Sequence, residues 1–369
     1  MRIPDRFLRL VASVMLISIT ATACGLTDTS GDERFVSELD GLDIDYRTLT
    51  GTLNGSGSSF QDPLQQAVSG EFRRVARNVT VNYTKSGSSA GKADLAARTV
   101  QFAGTDSAIK AEERADFRDE VLYFPVVAAP ITVSYNLAEV PELRLGPDTI
   151  ARIFQGDIAV WNDRRIAEEN PGVELPDLRI AVVRRSDGSG TTKNFSSYLD
   201  DAAANVWRLG TGESLEWPAA TQGAEKSSGM SSLIASTSGA IGYVDLSDSV
   251  AARLQRALVR NRAGNYVPPK LPNARAAIES STFDDEFLYD PLNAPGDEAY
   301  PITAPTWVIV AARQRSESTA DALRGYLNYL LTEGQLIAPT LGYAAVPESI
   351  RQALIERIDL IRSSSEDRP

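Results

Sequence analysis

Histidine is absent from the 369 residues, and cysteine occurs once, as Cys24. The first absence removes the commonest general base and the commonest transition-metal ligand together. The second excludes an intrachain disulfide and a thiolate zinc site. A hydrolase triad built on a histidine base is therefore out of reach. Positive charge is also scarce, with 37 Lys and Arg against 49 Asp and Glu and a formal net charge of −12. That balance implies no basic surface and argues against nucleic acid as a partner. An anion site in this chain has to work by local dipoles and one or two cations, against the overall field.

What is present is ordinary for a globular protein: 43% hydrophobic and 23% charged residues, in a chain long enough for two domains with full cores. The first 23 residues read as an export signal. Arg2, Arg6 and Arg9 form a basic start, and Leu10–Ile19 is an apolar core too short to span a bilayer as a mature helix. Ala21-Thr22-Ala23-Cys24-Gly25 follows, small residues before a cysteine, as at a bacterial lipoprotein cleavage site with Ala21 in place of the usual Leu. Cys24 is the expected lipidation site, which places the mature protein outside the cytoplasm on the cell membrane. Loss of residues 1–23 takes the formal charge to about −14. Residues 24–48 are polar and acidic and read as a tether.

The stretch Ala181–Phe195, AVVRRSDGSGTTKNF, carries the clearest chemistry. Ile180–Val183 reads as a short strand, and Phe195, Tyr198 and Leu199 take helical spacing after a turn of Gly, Ser and Thr. A small-residue turn at a helix start leaves backbone N–H groups without internal partners, and the helix dipole makes the place favourable for an anion. Ser189, Thr191 and Thr192 add hydroxyls, and Arg185 adds a two-pronged cation. Asp187 is tolerable beside an anion only if it pairs with an arginine or shares a proton.

Two similar loops stand earlier in the chain. Thr50–Phe60, TGTLNGSGSSF, reads as a Gly/Ser turn, with Asp62 as cap and Pro63 opening an amphipathic helix through Leu64, Val68 and Phe72. Val79, Val81 and Tyr83 alternate as a strand, which runs into Lys85–Gly91 and a helix over Lys92–Arg98. Val100–Phe102 reads as a brief strand ending at Asp106. In open α/β sheets such loops gather at the carboxyl ends of strands, where ligands bind. Val121–Asn136 and Tyr300–Ala311 are apolar crossings between domains. Pro147–Trp161 is expected to be helical, Gly239–Val244 a strand, and Arg253–Asp297 irregular. Two helices, Ala320–Leu331 with Gly334 as its stop and Pro347–Ile361, close the chain before a polar tail.

Two catalytic motifs occur by spelling. Gly87-Ser88-Ser89-Ala90-Gly91 fits the G-x-S-x-G elbow, which has no histidine to serve it. Ser89-Ala90-Gly91-Lys92 fits S-x-x-K of penicillin-recognising enzymes, but the accompanying Lys-Thr/Ser-Gly motif should come late, and Lys85-Ser86-Gly87 comes first. Gly87–Ala93 also falls short of a Walker A loop.

Four segments together resemble the phosphate-binding proteins of high-affinity phosphate ABC transporters: Gly55–Pro63 (GSGSSFQDP), Val81–Gly91 (VNYTKSGSSAG), Thr99–Asp106 (TVQFAGTD) and Val182–Thr192 (VVRRSDGSGTT). Ile153–Asp163, Gly239–Val244 and Tyr300–Val308 support them. The resemblance implies an α/β, two-lobed periplasmic-binding-protein fold of type II, each lobe a mixed sheet flanked by helices, with a ligand cleft between. Lobe 1 would comprise residues 49–128 and 300–362, lobe 2 residues 129–299, and 363–369 a tail.

By matching position, the resemblance implies phosphate contacts from Ser58, Ser59 and the amide of Phe60, from Ser88, and from Ser189, Gly190 and Thr191. Asp106 would accept the proton that phosphate carries. Arg185 would pair with phosphate oxygens, with Asp187 orienting it. The protein would be a monomer without catalysis, cofactor or metal, and would deliver inorganic phosphate to permease subunits driven by a cytoplasmic ATPase. Another tetrahedral oxyanion, a phosphate sensor and a serine–lysine acyl transferase stand as alternatives. Two positions depart from the family: Ser59, where Thr is common, and Glu225-Lys226-Ser227-Ser228-Gly229, where a Gly-Asn-Glu/Asp-Gly run is usual.

Overall fold

The computed structural model describes residues 41–363. The export signal, Cys24, most of the tether and the tail after Ser363 lie outside the described residues.

The frame is one ten-stranded sheet. Its strands are β1 (Gly51–Gly57), β2 (Val79–Thr84), β3 (Phe102–Thr105), β4 (Val121–Tyr135), β5 (Ala181–Arg185), β6 (Gln222–Ala224), β7 (Ala240–Asp245), β8 (Gln255–Arg256), β9 (Thr303–Ala311) and β10 (Ala344–Ala345). The order is β2-β1-β3-β9-β4-β7-β5-β6, with β8 and β10 also pairing β4. β4 is apolar almost throughout, and all but its first residue is buried, as a strand covered on both faces requires. It pairs with β9 as far as Pro130 and with β7 from Ile131 onward, so it belongs to both halves of the sheet.

Each half holds three parallel strands. β1 pairs in parallel with β2 and β3, and β5 pairs in parallel with β6 and β7. Parallel strands require crossovers, and here the crossovers are helices that start just beyond strand ends. They include α1 (Asp62–Val75), α2 (Ser88–Ala96), α3 (Gly190–Ala202), α4 (Lys226–Ser236) and α5 (Leu246–Ala251). A long helix α6 (Glu317–Leu331) covers the first half, packing Tyr326 against Phe72 and Phe102. In the second half Phe195 stacks on Tyr243 with ring centroids 4.4 Å apart.

Several expectations are corrected. Gly51–Gly57 is a strand and not a turn. Its glycines permit close approach, and a Cβ on Gly57 (φ +131°) would stand 2.1 Å from Gly104 O. The cap of α1 is Gln61; Asp62 lies in the first turn. α2 begins at Ser88, four residues before the expected start, so Ser88 and Ser89 are helical. β3 lies later than Val100–Phe102. The helix from Pro147 ends at Phe154, and Arg253–Asp297 contains a helix, Leu271–Glu279. α6 ends at Leu331 as expected, but its cap is Thr332, and Gly334 lies inside the next short helix. The end of the expected tether is packed: Tyr46 is buried against Phe72 and Tyr329. Ser363 is buried in a strand pair with Arg313–Gln314 instead of opening a tail.

Candidate anion-binding site

The carboxyl ends of the parallel strands meet at one place. β1 delivers Ser58 and Ser59, and β3 delivers Asp106. β2 leads through Gly87 to Ser88, the first residue of α2. From the other half, β5 delivers Arg185 and the loop to α3, and β6 leads to Lys226 and Ser227 at the start of α4.

Asp106 is the buried centre, 2% exposed. Ser58 Oγ donates to both its oxygens, at 2.6 and 2.8 Å, and Thr306 Oγ1 of β9 donates to Oδ1 at 2.7 Å. Ser88 Oγ stands 3.5 Å from Oδ2 and accepts from the Asp106 amide at 3.3 Å. Burial pushes the carboxyl up to about 6, against the Ser58 and Thr306 hydroxyls and the Arg185 cation, which pull it down. At neutral pH it is ionised and an acceptor.

Arg185 faces it from the second half. Its Nε and Nη2 each stand 2.6 Å from an oxygen of Asp187, a two-pronged pair. Its amide donates to Tyr243 OH at 3.1 Å, and that hydroxyl meets Thr192 Oγ1 at 2.8 Å. Asp187 also accepts from the Lys226 amide and Nζ, at 3.2 and 3.0 Å. Burial alone would raise the Asp187 carboxyl. The Arg185 fork and Lys226 outweigh it and hold the group at about 2.

Ser189 caps α3, its Oγ accepting from the Thr192 amide at 3.2 Å. Helix geometry leaves the amides of Gly190 and Thr191 without intrahelical partners. Thr191 Oγ1 is buried and has no hydrogen-bond partner. An orphaned buried hydroxyl at a helix start, beside a buried arginine, is a set of donors lacking an acceptor. Gly190 lets this helix start touch the first half: a Cβ there would stand 2.7 Å from both Asp106 Cβ and Ser88 Oγ.

The halves are in contact around this place. Asn194 Nδ2 donates to Asp106 O at 2.5 Å. Ser59 Oγ accepts from the Ser227 amide at 3.1 Å, and Lys226 Nζ donates to Ser86 O at 2.7 Å. Among the described residues, no group of three or more His, Cys, Asp or Glu could hold a metal ion, and no helix is long and apolar enough to cross a membrane.

The family model of the PBP superfamily domain matches residues 46–333. A phosphate-binding protein PstS of Xylella fastidiosa is 31% identical over 82% of this chain and 84% of its own length. One from Pasteurella multocida is 30% identical over 83% and 90%, and PstS 3 of Mycobacterium leprae is 32% identical over 82% and 85%. The chain belongs to the phosphate-binding protein family. Solved structures agree in fold. A high-affinity periplasmic phosphate-binding protein bound with phosphate superposes with TM-score 0.69 at 20% identity, over 82% of this chain and 93% of that one. A phosphate ABC transporter substrate-binding protein from Clostridium perfringens, also with phosphate, gives 0.61 at 19%, over 80% and 100%. The architecture is the type II periplasmic-binding fold.

In this phosphate-binding protein, the residues singled out from the sequence converge. Ser58, Ser88 and Asp106 form one hydrogen-bonded group, and Arg185 with Asp187 forms a second. Ser189, Gly190 and Thr191 form the helix start between them. Ser59 bonds across to Ser227, and the Phe60 amide donates to Ser58 Oγ at 3.1 Å, with the Phe60 ring buried beside Tyr343.

Sequence reasoning did not find Thr306, Tyr243 or Asn194. Thr306 was inside an apolar crossing, where a hydroxyl on a strand fully buried by its neighbours is the available signal. Asn194 lies one helical turn after Gly190, on the face that meets Asp106. Lys226 and Ser227, inside the run that departs from the family's usual spelling, both bond to the first half.

Proposed function

We propose that this protein captures inorganic phosphate outside the cytoplasm and delivers it to an ABC importer. One observation carries the reading: a buried Asp106, already holding hydroxyl donors, faces Arg185, itself paired with Asp187, and a helix start with an orphaned Thr191 hydroxyl. This set offers many donors and a single acceptor. Protonated phosphate is the tetrahedral anion that suits both, because it can donate one proton to Asp106 while its other oxygens accept. Arg185 is already balanced by Asp187, so amide dipoles and hydroxyls carry much of the ligand's charge. Charge-assisted hydrogen bonds contribute roughly 1.5–3 kcal/mol each, and micromolar binding needs about 8 kcal/mol, so a handful suffices after ordering costs.

In this reading Ser58, Ser59, Phe60, Ser88, Asp106, Arg185, Asp187, Ser189, Gly190 and Thr191 form or orient the cradle. The two halves of the sheet act as lobes, 49–128 with 300–362 and 129–299, and the change of neighbour along β4 at Pro130/Ile131 supports that division. Closure of the lobes is the signal read by permease subunits coupled to a cytoplasmic ATPase. A lipid on Cys24 holds the protein at the membrane, and it works as a monomer without cofactor, metal or catalysis. Calorimetry with phosphate and sulfate tests the reading. Phosphate should bind at micromolar concentration or tighter and sulfate far more weakly; equal affinities would reject it.

A further inference from the structure

The serine and lysine of the S-x-x-K stretch, Ser89 and Lys92, lie on one face of α2, as a spacing of three on a helix dictates. They do not work on each other. Both face Glu213, which reaches them from the segment 203–221 between α3 and β6. Ser89 Oγ donates to Glu213 Oε2, and Ser107 Oγ, just after β3, donates to Oε1. Lys92 Nζ stands 2.8 Å from Glu213 Oε1 and 3.1 Å from Glu113 Oε2. Glu213 is 7% exposed and Lys92 4%. Burial would raise the Glu213 carboxyl, but the Lys92 cation and the two hydroxyls hold it below the ordinary carboxylate range.

The main chain of Glu213 is tied the opposite way. Its carbonyl accepts from the amide of Ser189, the cap of α3, at 2.9 Å. One residue is thus bound through its backbone to the cradle helix of the second half and through its side chain to three residues of the first.

We propose that Glu213 is a positioning residue that latches the two halves closed over phosphate, with Ser89, Lys92 and Ser107 as its partners. The proposal rests on the phosphate reading above. A buried carboxylate needs every partner it has, because water cannot replace a missing one. In the parted halves the Glu213 carboxylate is hydrated and Lys92 keeps Glu113, so the Lys92–Glu213 pair adds nothing to the first encounter with the ligand. It has to be broken before the ligand leaves, so it acts on release.

Release of radiolabelled phosphate from the full chain into excess unlabelled phosphate is the test. Glu213→Gln keeps the shape and removes the charge. It should speed release about tenfold with association unchanged, raising Kd by the same factor. Lys92→Met should do likewise, and the double variant should lose less than the product of the two. Lys92→Arg, which keeps the cation, should restore slow release. A variant that is merely unfolded would lose association and thermal stability too. Wild-type chain that holds phosphate while Glu213→Gln releases it at the same rate overturns the latch alone, as do fully multiplicative single effects. Wild-type chain that holds no phosphate overturns the ligand reading, and the latch falls with it.

Discussion

Replacing Asp106 by Asn tests the core of the mechanism, because sulfate and protonated phosphate differ there by one proton. With Asp106 ionised, a bare sulfate oxygen about 4 Å away costs roughly 4 kcal/mol at an effective dielectric of about 20. Sulfate has a cheaper route: Asp106 can take up a proton first and donate it. The carboxyl is held at about 6 by burial, so that route costs about 2 kcal/mol at pH 7.5, at about 1.36 kcal/mol per pH unit. The cheaper route sets the discrimination. The ratio of phosphate to sulfate affinity should be roughly 30 at pH 7.5. It should rise about tenfold per pH unit toward a ceiling of roughly a thousand, and collapse as pH falls through about 6. Asp106→Asn removes the charge and keeps an acceptor. Its ratio should be small and flat with pH, with phosphate itself bound about tenfold more weakly for loss of a charged acceptor. Isothermal titration of both anions at pH 5.5, 7.5 and 8.5 reads this. A variant that keeps the wild-type ratio, or a wild-type ratio independent of pH, would refute the role given to Asp106.

Other outcomes follow from the same geometry. The folded carboxyl of Asp106 lies above its unfolded value of 3.8, so its contribution favours folding at acid pH and is lost as pH rises through about 6. Ligand-free Asp106→Asn should therefore resist urea better than wild type at pH 7, by up to about 3 kcal/mol, and lose that advantage below pH 4. Asp187 has the opposite sign: its stabilisation is present above 3.8 and lost as pH falls through about 2. Asp187→Asn should cost about 2 kcal/mol in urea unfolding at pH 7 and weaken phosphate binding by releasing the Arg185 fork. Gly190→Ala puts a Cβ 2.7 Å from Asp106 Cβ and Ser88 Oγ. Calorimetry should show phosphate affinity reduced at least about tenfold with the thermal midpoint little changed, because the clash exists only with the halves together.

Much of the cradle was legible because its parts are local. The run from Arg185 to Thr192 holds a cation, its carboxylate partner, a capping serine and a helix start within a few residues, each recognisable from its own chemistry. The Gly-rich stretch before Phe60 misled for a physical reason. Glycine usually marks a turn, but Gly55 and Gly57 lie in a strand whose neighbours, Phe102 and Gly104, leave no room for a Cβ. The start of α2 is hidden in the sequence because Gly87-Ser88-Ser89 has poor helix propensity, which tertiary contacts with Asp106 and Glu213 override. Thr306 and Glu213 could not be found by spacing. They are 200 and 107 residues from Asp106 along the chain, and only the fold brings them to it or to its neighbours.

The shared strand β4 has a consequence for how such a molecule bends. Its neighbour changes between Pro130 and Ile131, and the other crossing runs alongside, with Thr303 opposite Pro130 and the Ile131 amide bonded to Ile302 O at 2.7 Å. Proline has no amide hydrogen to give, so Pro130 adds no donor to the ladder at that spot. If the lobes close as proposed, their pivot is a seam stitched into continuous fabric and not a slack cord between two beads. Its stiffness would then be written in the buried side chains of β4, so the tempo of the proposed capture and hand-over could drift there without any change in what is captured.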